Sequence, residues 1–329
     1  MFSITLVLIP IILALIFDFT NGFQDTANAV ATSVATQALS PRMAVILAAV
    51  FNFLGALSGT AVAITIGTSL VSPDLVTPIV IIAALSAAIF WNTFTWYLGI
   101  PSSASHALIG GIVGGVIAGY GVTQVKWLGF VKIFAGLIIS PVVGFLVGGI
   151  FMAVFFWLFK NHSPLKTNNK FRKLQVLSAC MVAFAHGSND AQKSMGIITM
   201  VLFGAGIITV FEVPLWVKVA CASAMALGTA QGGWRIIKTV GSKIFKIEPI
   251  NGFASDFTSS IVIYSATLLG APVSTTHIVS SSIVGAGTVK RAKGVRWQVA
   301  IQIIAAWVIT IPSSAFVAIA MFEIISKLF

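Results

Sequence analysis

Residues 21–32 read N-G-F-Q-D-T-A-N-A-V-A-T and interrupt a long apolar segment. This polar stretch contains Asn21, Gln24, Asp25 and Asn28. An aspartate at the centre of a membrane-spanning helix costs about 2.5–3.5 kcal/mol on insertion scales, so such residues are retained mainly where they face a protein interior, a cavity or a ligand. The stretch therefore indicates a buried polar site inside a membrane protein.

Both halves of the chain carry the same two motifs in the same order. A relative of the first stretch, H-G-S-N-D-A-Q-K-S, occupies residues 186–194, and we call this pair the Asp motifs. The Pro-Ser motifs are G-I-P-S-S-A-S-H at 99–106 and G-A-P-V-S-T-T-H at 270–277. Two independent matches indicate an internal duplication. The matched positions are Gly22 and Gly187, Gln24 and Asn189, Asp25 and Asp190, Asn28 and Lys193, Pro101 and Pro272, Ser103 and Ser274, Ser105 and Thr276, and His106 and His277.

The composition is that of a polytopic membrane protein. Of the 329 residues, 58% are hydrophobic and 8% are charged, whereas soluble domains average about 45–50% and about 25%. Apolar runs near the length of about 20 residues that crosses a bilayer as a helix follow one another along the chain. We therefore predict an all-α membrane fold. The runs cover about 2–37, 43–66, 78–99, 101–118, 128–159, 174–202, 214–234, 250–270, 272–289 and 297–326.

The duplication predicts two halves of opposite orientation. Each half supplies about five crossings, and an odd number reverses the second half in the membrane, as in the inverted repeats of many secondary transporters. The predicted units are a first transmembrane repeat at 1–159, a basic cytoplasmic linker at 160–173 and a second transmembrane repeat at 174–329. Broken helices and re-entrant hairpins at the motifs both stay open, and Gly22 and Gly187 would permit local unwinding of the Asp motifs.

The net charge of +11 arises largely from basic residues that cluster between apolar runs, at 160–173, 235–246 and 290–296. Such clusters mark cytoplasmic loops, so they indicate topology and give no reason to expect a nucleic-acid partner. Counting crossings from them places both chain termini outside the cytoplasm. The predicted location is the plasma membrane, or the inner membrane of a bacterium, with the lipid bilayer as partner.

The Pro-Ser motifs predict an anion site. Proline suits the first position of a helix, and serine or threonine caps the N–H groups there. Each motif therefore begins a helix near membrane depth, and the positive end of a helix dipole attracts anions. Two such starts related by symmetry could hold one tetrahedral oxyanion, or each could simply be a helix capped by its own hydroxyls. The predicted ligands are Ser102, Ser103, Ser105, Ser274, Thr275, Thr276 and Gln24.

The Asp motifs predict a cation site. Carboxylate and carboxamide oxygens are hard donors that suit Na⁺ or a similar ion, although an interhelical hydrogen-bond network would use the same residue types. The predicted sodium ligands are Asn21, Asp25, Asn28, Asn189 and Asp190. Lys193 either neutralises Asp190 or lends positive charge to an anion. His186 is either a proton-sensitive group or a structural donor.

The two Asp motifs and the two Pro-Ser motifs together resemble the PiT family of inorganic phosphate transporters over nearly the whole chain. The resemblance implies a secondary symporter that imports inorganic phosphate with a cation around a midplane site, with no organic cofactor and with a homodimer as one assembly that it allows. Sodium is the coupling ion that we expect. Two departures are that residues 22–25 read G-F-Q-D, where the family usually has G-x-N-D, and that Gln192 and Lys193 replace the common Ala-Asn pair.

Those departures keep two alternatives open within the family: a symporter coupled to protons or carrying metal–phosphate complexes, and a sulfate carrier. An intramembrane metal-dependent hydrolase using His186, Asp190 and His277 is the rival from another class. No H-E-x-x-H spacing supports it, and a duplicated polar site suits alternating access better than a single catalytic centre. We therefore expect a transporter and not an enzyme.

Overall fold

The computed structural model describes residues 4–69 and 77–328 of the chain, and within these ranges every regular element is helical. Each predicted apolar run corresponds to one helix, or to two consecutive helices. The helices are α1 (Ile4–Ala35), α2 (Pro41–Leu57), α3 (Ala61–Ser69), α4 (Pro78–Leu98), α5 (Ala104–Tyr120), α6 (Trp127–Phe159), α7 (Pro164–Gly204), α8 (Leu215–Gln231), α9 (Trp234–Lys238), α10 (Pro249–Leu268), α11 (Thr275–Arg291) and α12 (Trp297–Ile325).

The helices confirm the prediction of an all-α membrane fold. Among the described residues, α1, α4, α6 and α12 are long and apolar enough to cross a bilayer, and α2 with α3 forms one more candidate span bent by 68°. The helices that carry the Asp and Pro-Ser motifs of the second half, α7 and α11, are more polar. Their motif residues are buried, whereas the basic residues at the start of α7 and at the end of α11 are exposed or partly exposed.

The second set of six helices repeats the first in order and in detail. Trp127, at the start of α6, donates from Nε1 to the carbonyl oxygen of Val122 at 3.1 Å, and Trp297, at the start of α12, donates to Ala292 at the same distance. The sets also exchange partners, since α1 packs on α8 and α7 on α2, while α5 packs on α12 and α11 on α6. Reciprocal contacts of this kind are those of a two-fold arrangement.

The local unwinding that Gly22 and Gly187 would permit does not occur in α1 or α7. Both α1 and α7 run without a break through the Asp motifs. The two glycines instead allow helices to touch at backbone distance: a Cβ on Gly22 would collide with the carbonyl oxygen of Met225 on α8, and a Cβ on Gly187 with that of Asn52 on α2. Small residues at helix contacts commonly serve this purpose in membranes.

The helix breaks lie instead at the Pro-Ser motifs. The chain turns between α4 and α5 at Gly99, which has a φ of 69°, and between α10 and α11 at Gly270, which has a φ of 67°. A residue with a side chain rarely adopts this left-handed conformation. Both turns are followed by buried serines at 102–103 and 274, so α5 and α11 begin in the protein interior.

We expect the substitution Gly187→Ala to destabilise the protein by about 1–3 kcal/mol, the usual cost of forcing an extra carbon into a packed interior. The new Cβ would lie against the backbone of Asn52, which cannot rotate away as a flexible side chain would. Thermal denaturation of the detergent-solubilised protein measures the effect. Gly204→Ala, at the end of the same helix, is the control, because none of the described atoms lies within 4 Å of its added Cβ. Equal stability of the two variants would contradict the packing role of Gly187.

Candidate functional site

The two Asp motifs meet where α1 packs on α7, and the first turn of α11 lies against both carboxylates. Thr276 donates from Oγ1 to Oδ1 of Asp25 at 3.0 Å, and Thr275 donates to Oδ2 of Asp190 at 2.9 Å. Asp25 is 3% exposed and Asp190 is 1% exposed. Two acidic groups from different halves of the chain therefore share one interior region with a helix N-terminus.

His186 connects the two carboxylates. Its Nε2 lies 3.1 Å from Oδ2 of Asp190 and 3.8 Å from Oδ2 of Asp25. Its Nδ1 lies 3.0 Å from Oδ1 of Asn52, whose Nδ2 donates to Thr229 at 2.8 Å. Both ring nitrogens thus face oxygen atoms, an arrangement that accommodates a doubly protonated imidazole between two negative charges.

Lys193 is the second basic group at this site and is 1% exposed. We call Asp25, His186, Asp190 and Lys193 the cluster. Its Nζ contacts Oδ1 of Asp190, lies 2.5 Å from Oγ of Ser105 and lies 3.1 Å from the carbonyl oxygen of Val273. Buried charges are normally paired or bound to ions. The sequence alternative in which Lys193 pairs with Asp190 therefore matches the observed contact.

Several buried polar atoms of the Asp and Pro-Ser motifs lack partners among the described residues. The Nδ2 of Asn28 donates to Thr276 at 3.0 Å, but its Oδ1 is unpaired. The Oγ of Ser102 and both polar side-chain atoms of Asn21 are also unpaired, and all three residues are buried. Buried polar atoms almost always have a hydrogen-bond partner, and an exception calls for an ion or a water molecule.

Gln24 and Asn189 occupy matching places beside the turns of the Pro-Ser motifs. Gln24 donates to the hydroxyl of Thr95 on α4 at 3.2 Å, and Asn189 donates to that of Thr267 on α10 at 2.9 Å. Asn189 also donates to the carbonyl oxygen of Ala271 at 3.3 Å. These amides link the helices of the Asp motifs to the helices that precede the Pro-Ser turns.

The predicted serine caps are present. The Oγ of Ser103 accepts from the backbone N–H of His106 at 3.3 Å, and the Oγ of Ser274 accepts from that of His277 at the same distance. Ser105 donates to the carbonyl oxygen of Val273 at 3.1 Å, which joins the two Pro-Ser motifs directly. The two helix starts therefore lie close together, and their dipoles give this region positive potential.

The cluster has the donors for a cation as well as those for an anion. Ligand atoms of Asp25, His186 and Asp190 all lie within 4.8 Å of one another, a spacing at which they could hold a metal ion. Hydroxyl groups and helix N-termini supply anion donors in the same region. Since these side chains are buried, any ion reaches them only when the surrounding helices move.

Three important contacts have no signal in the sequence motifs. Asn52 lies in a helix that is otherwise apolar from Met43 onwards, and only its polarity at membrane depth could have drawn attention to it. Nothing in the sequence singles out Thr267 more strongly than Asn52. Val273 contributes a backbone carbonyl oxygen, and the type of a side chain does not predict such a contact. Their roles depend on which helices pack together.

Two further buried acids lie outside the cluster. Asp18 accepts from Ser194 at 2.6 Å, and Asp256 accepts from Thr32 at 2.7 Å. Asp18 has no match in the duplication, and neither does Asp256.

Comparison with known proteins gives a consistent result. The profile of the phosphate transporter family matches residues 21–318. The chain is 50% identical over 327 residues to a probable low-affinity inorganic phosphate transporter of Bacillus subtilis (strain 168), covering 98% of each chain. It is 47% identical over 310 residues to a protein of the same description from Rhizobium meliloti (strain 1021), covering 94% of this chain and 93% of the relative.

The fold also has a solved counterpart. A structure described as "The sodium-dependent phosphate transporter" aligns with a TM-score of 0.87 and 25% identity, covering 99% of this chain and 100% of the other. The family and these relatives are transporters and not enzymes. The family profile matches most of this chain, and the two relatives align with nearly all of it. The protein therefore belongs to the phosphate transporter family.

Proposed function

We propose that the protein is a secondary active symporter that imports inorganic phosphate with sodium ions by alternating access. The observation that carries this proposal is the meeting of two buried aspartates with two helix N-termini in one interior region. The names of the relatives support phosphate as the substrate. The sodium dependence of the solved counterpart supports sodium as the coupling ion.

Phosphate would bind at the starts of α5 and α11. Ser102 offers a hydroxyl that has no partner among the described residues, while Thr275 and Thr276 donate to carboxylates. If these threonines turn their hydroxyls towards phosphate, the carboxylates lose their donors. The proposed phosphate ligands are Ser102, Ser103, Ser105, Ser274, Thr275, Thr276 and Gln24.

Sodium would compensate for that loss. A phosphate beside Asp25 and Asp190 brings together three negative groups, and unit charges about 4 Å apart interact by about 4 kcal/mol at an effective dielectric constant of about 20. A cation between them turns repulsion into attraction, so each ion raises the affinity for the other. The proposed sodium ligands are Asn21, Asp25, Asn28, Asn189 and Asp190.

A second candidate within the family is coupling to protons or transport of a metal–phosphate complex. It is favoured by His186, whose imidazole lies between the carboxylates and completes a set of metal donors. In that mechanism a proton on His186, or a metal ion bound to it, would take the place of sodium. Sulfate has no comparable support, because the relatives are described as phosphate transporters.

The membrane arrangement is part of the proposal. Residues 1–159 and 174–329 would form inverted halves in the plasma membrane, or in the inner membrane of a bacterium, with both termini outside the cytoplasm. The residues between them would be cytoplasmic, although 164–173 are already the first turns of α7. A homodimer stays a prediction from the family resemblance.

Uptake of labelled phosphate into proteoliposomes tests the coupling ion. We expect an imposed sodium gradient to drive accumulation, and an imposed proton gradient at matched membrane potential to drive little. Liposomes without protein give the background. Accumulation driven by protons alone would replace sodium coupling with the second candidate. Unlabelled sulfate, added as a competitor of labelled phosphate, would show whether sulfate is also a substrate.

A further inference from the structure

Lys193 fills a position that resembles a cation site. Its ammonium has three N–H donors, and each meets one oxygen: a carboxylate of Asp190, the hydroxyl of Ser105 and the carbonyl of Val273. The three oxygens come from α7, α5 and the turn before α11. A buried carboxylate, hydroxyl and carbonyl are also the donor types that bind hard cations such as Na⁺.

The matching position in the first half has similar oxygens but no ammonium. There Asp25 corresponds to Asp190, Thr276 corresponds to Ser105, and Asn28 stands where the second half has Lys193. Thr276 lies 3.0 Å from both Oδ1 of Asp25 and Nδ2 of Asn28. The two half-sites therefore share a carboxylate and a hydroxyl contributed by the opposite half, and differ in the residue at the Asn28 position.

An unpaired oxygen distinguishes the first half-site. The Oδ1 of Asn28 has no partner among the described residues, and Asn28 is 2% exposed. Buried oxygens without donors are the groups that a bound cation satisfies.

We propose that the two half-sites are unequal: the Lys193 ammonium permanently takes the place of a cation beside Asp190, and the half-site of Asp25 binds the single sodium ion carried with each phosphate. This inference rests on the sodium coupling proposed above, adds its stoichiometry and removes Asn189 and Asp190 from the sodium ligands proposed there, because Lys193 occupies their half-site. A tethered ammonium supplies the positive charge that phosphate binding requires, but it stays with the protein and draws no energy from the sodium gradient.

The substitution Lys193→Asn tests the inference by giving both half-sites the same residue. We expect wild-type protein to carry about one sodium ion per phosphate, and the variant to carry about two because a freed half-site adds one coupled ion. Labelled sodium and labelled phosphate are measured together in proteoliposomes. The variant should also move one more positive charge per phosphate, which current recording on supported membranes detects. Lys193→Met is the matched control, since it removes the ammonium without supplying an oxygen, and should bind no additional sodium.

Sodium binding to the purified protein covers the case in which Lys193→Asn no longer transports. In the presence of phosphate, we expect about one bound sodium in the wild type and about two in the variant. The reciprocal substitution Asn28→Lys places an ammonium in the other half-site and should abolish sodium binding. This second variant keeps the test decisive if the first does not fold.

The outcomes separate this inference from the proposed function. Two sodium ions per phosphate in the wild type would overturn the inequality of the half-sites and leave sodium coupling intact. A ratio unchanged by Lys193→Asn, or sodium binding that survives Asn28→Lys, would have the same meaning. Phosphate accumulation in the wild type without any sodium flux would overturn both.

Discussion

Replacing Asp25 with asparagine is expected to lower the apparent sodium affinity of phosphate uptake by about 10²–10³-fold. The substitution keeps the shape of the side chain and removes one negative charge. A unit charge about 4 Å from a cation contributes about 4 kcal/mol at an effective dielectric constant of about 20, and each 1.4 kcal/mol corresponds to about tenfold in affinity. The measurement is phosphate uptake into proteoliposomes as a function of sodium concentration.

Asp256→Asn is the matched control. It makes the same chemical change in a carboxylate that is equally buried but bound to Thr32 and Ser178 outside the cluster. We expect this variant to keep the sodium dependence of the wild type. If Asp25→Asn also kept it, Asp25 would not be a ligand of the coupling ion.

Replacing Asp190 with asparagine is expected to abolish transport and to destabilise the protein by about 3–5 kcal/mol, the usual result of removing one partner from a buried ion pair. The carboxylate contacts the ammonium of Lys193 and lies 3.1 Å from His186, so its loss leaves two basic groups with one acid. Among the described residues Asp25 forms no ion pair with a lysine, so Asp25→Asn should be much closer to wild type in stability. Thermal denaturation and uptake, measured on both variants, distinguish the two aspartates.

A double variant separates the charge imbalance from other causes. Adding Lys193→Met to Asp190→Asn removes both members of the pair, and we expect it to recover a large part of the lost stability without recovering transport. Double-mutant cycles isolate an interaction of this kind when the residues are in contact. Additive losses in the two single variants would show that Asp190 and Lys193 do not depend on each other.

The sequence predicted the Asp motifs and the Pro-Ser motifs as the core of the site. Burying charged and hydroxyl groups at membrane depth costs free energy unless these groups have a polar partner or a ligand. Serine caps after a glycine and a proline likewise predicted helix starts, and α5 and α11 begin there. The partners of these groups could not be predicted. Whether Asn52 faces His186, or the Val273 carbonyl faces Lys193, is decided by the packing of helices distant in sequence.

The glycines of the Asp motifs show a different kind of ambiguity. Glycine permits both unwinding and close helix contact. The sequences G-F-Q-D and G-S-N-D are compatible with either role. The contacts of Gly22 with Met225 and of Gly187 with Asn52 decide for close contact. The backbone carbonyl that contacts Lys193 is that of Val273, in the turn before α11.

The exchange of partners between the two helix sets has a consequence for biosynthesis. Asp25 enters the bilayer with α1, but the helices that enclose it include α7 and α8, which belong to the second half. At about 5–20 residues per second, the ribosome needs on the order of ten seconds more to complete them. During that interval the carboxylate has none of its second-half neighbours. The first repeat therefore completes its packing around Asp25 only after the second repeat has been inserted.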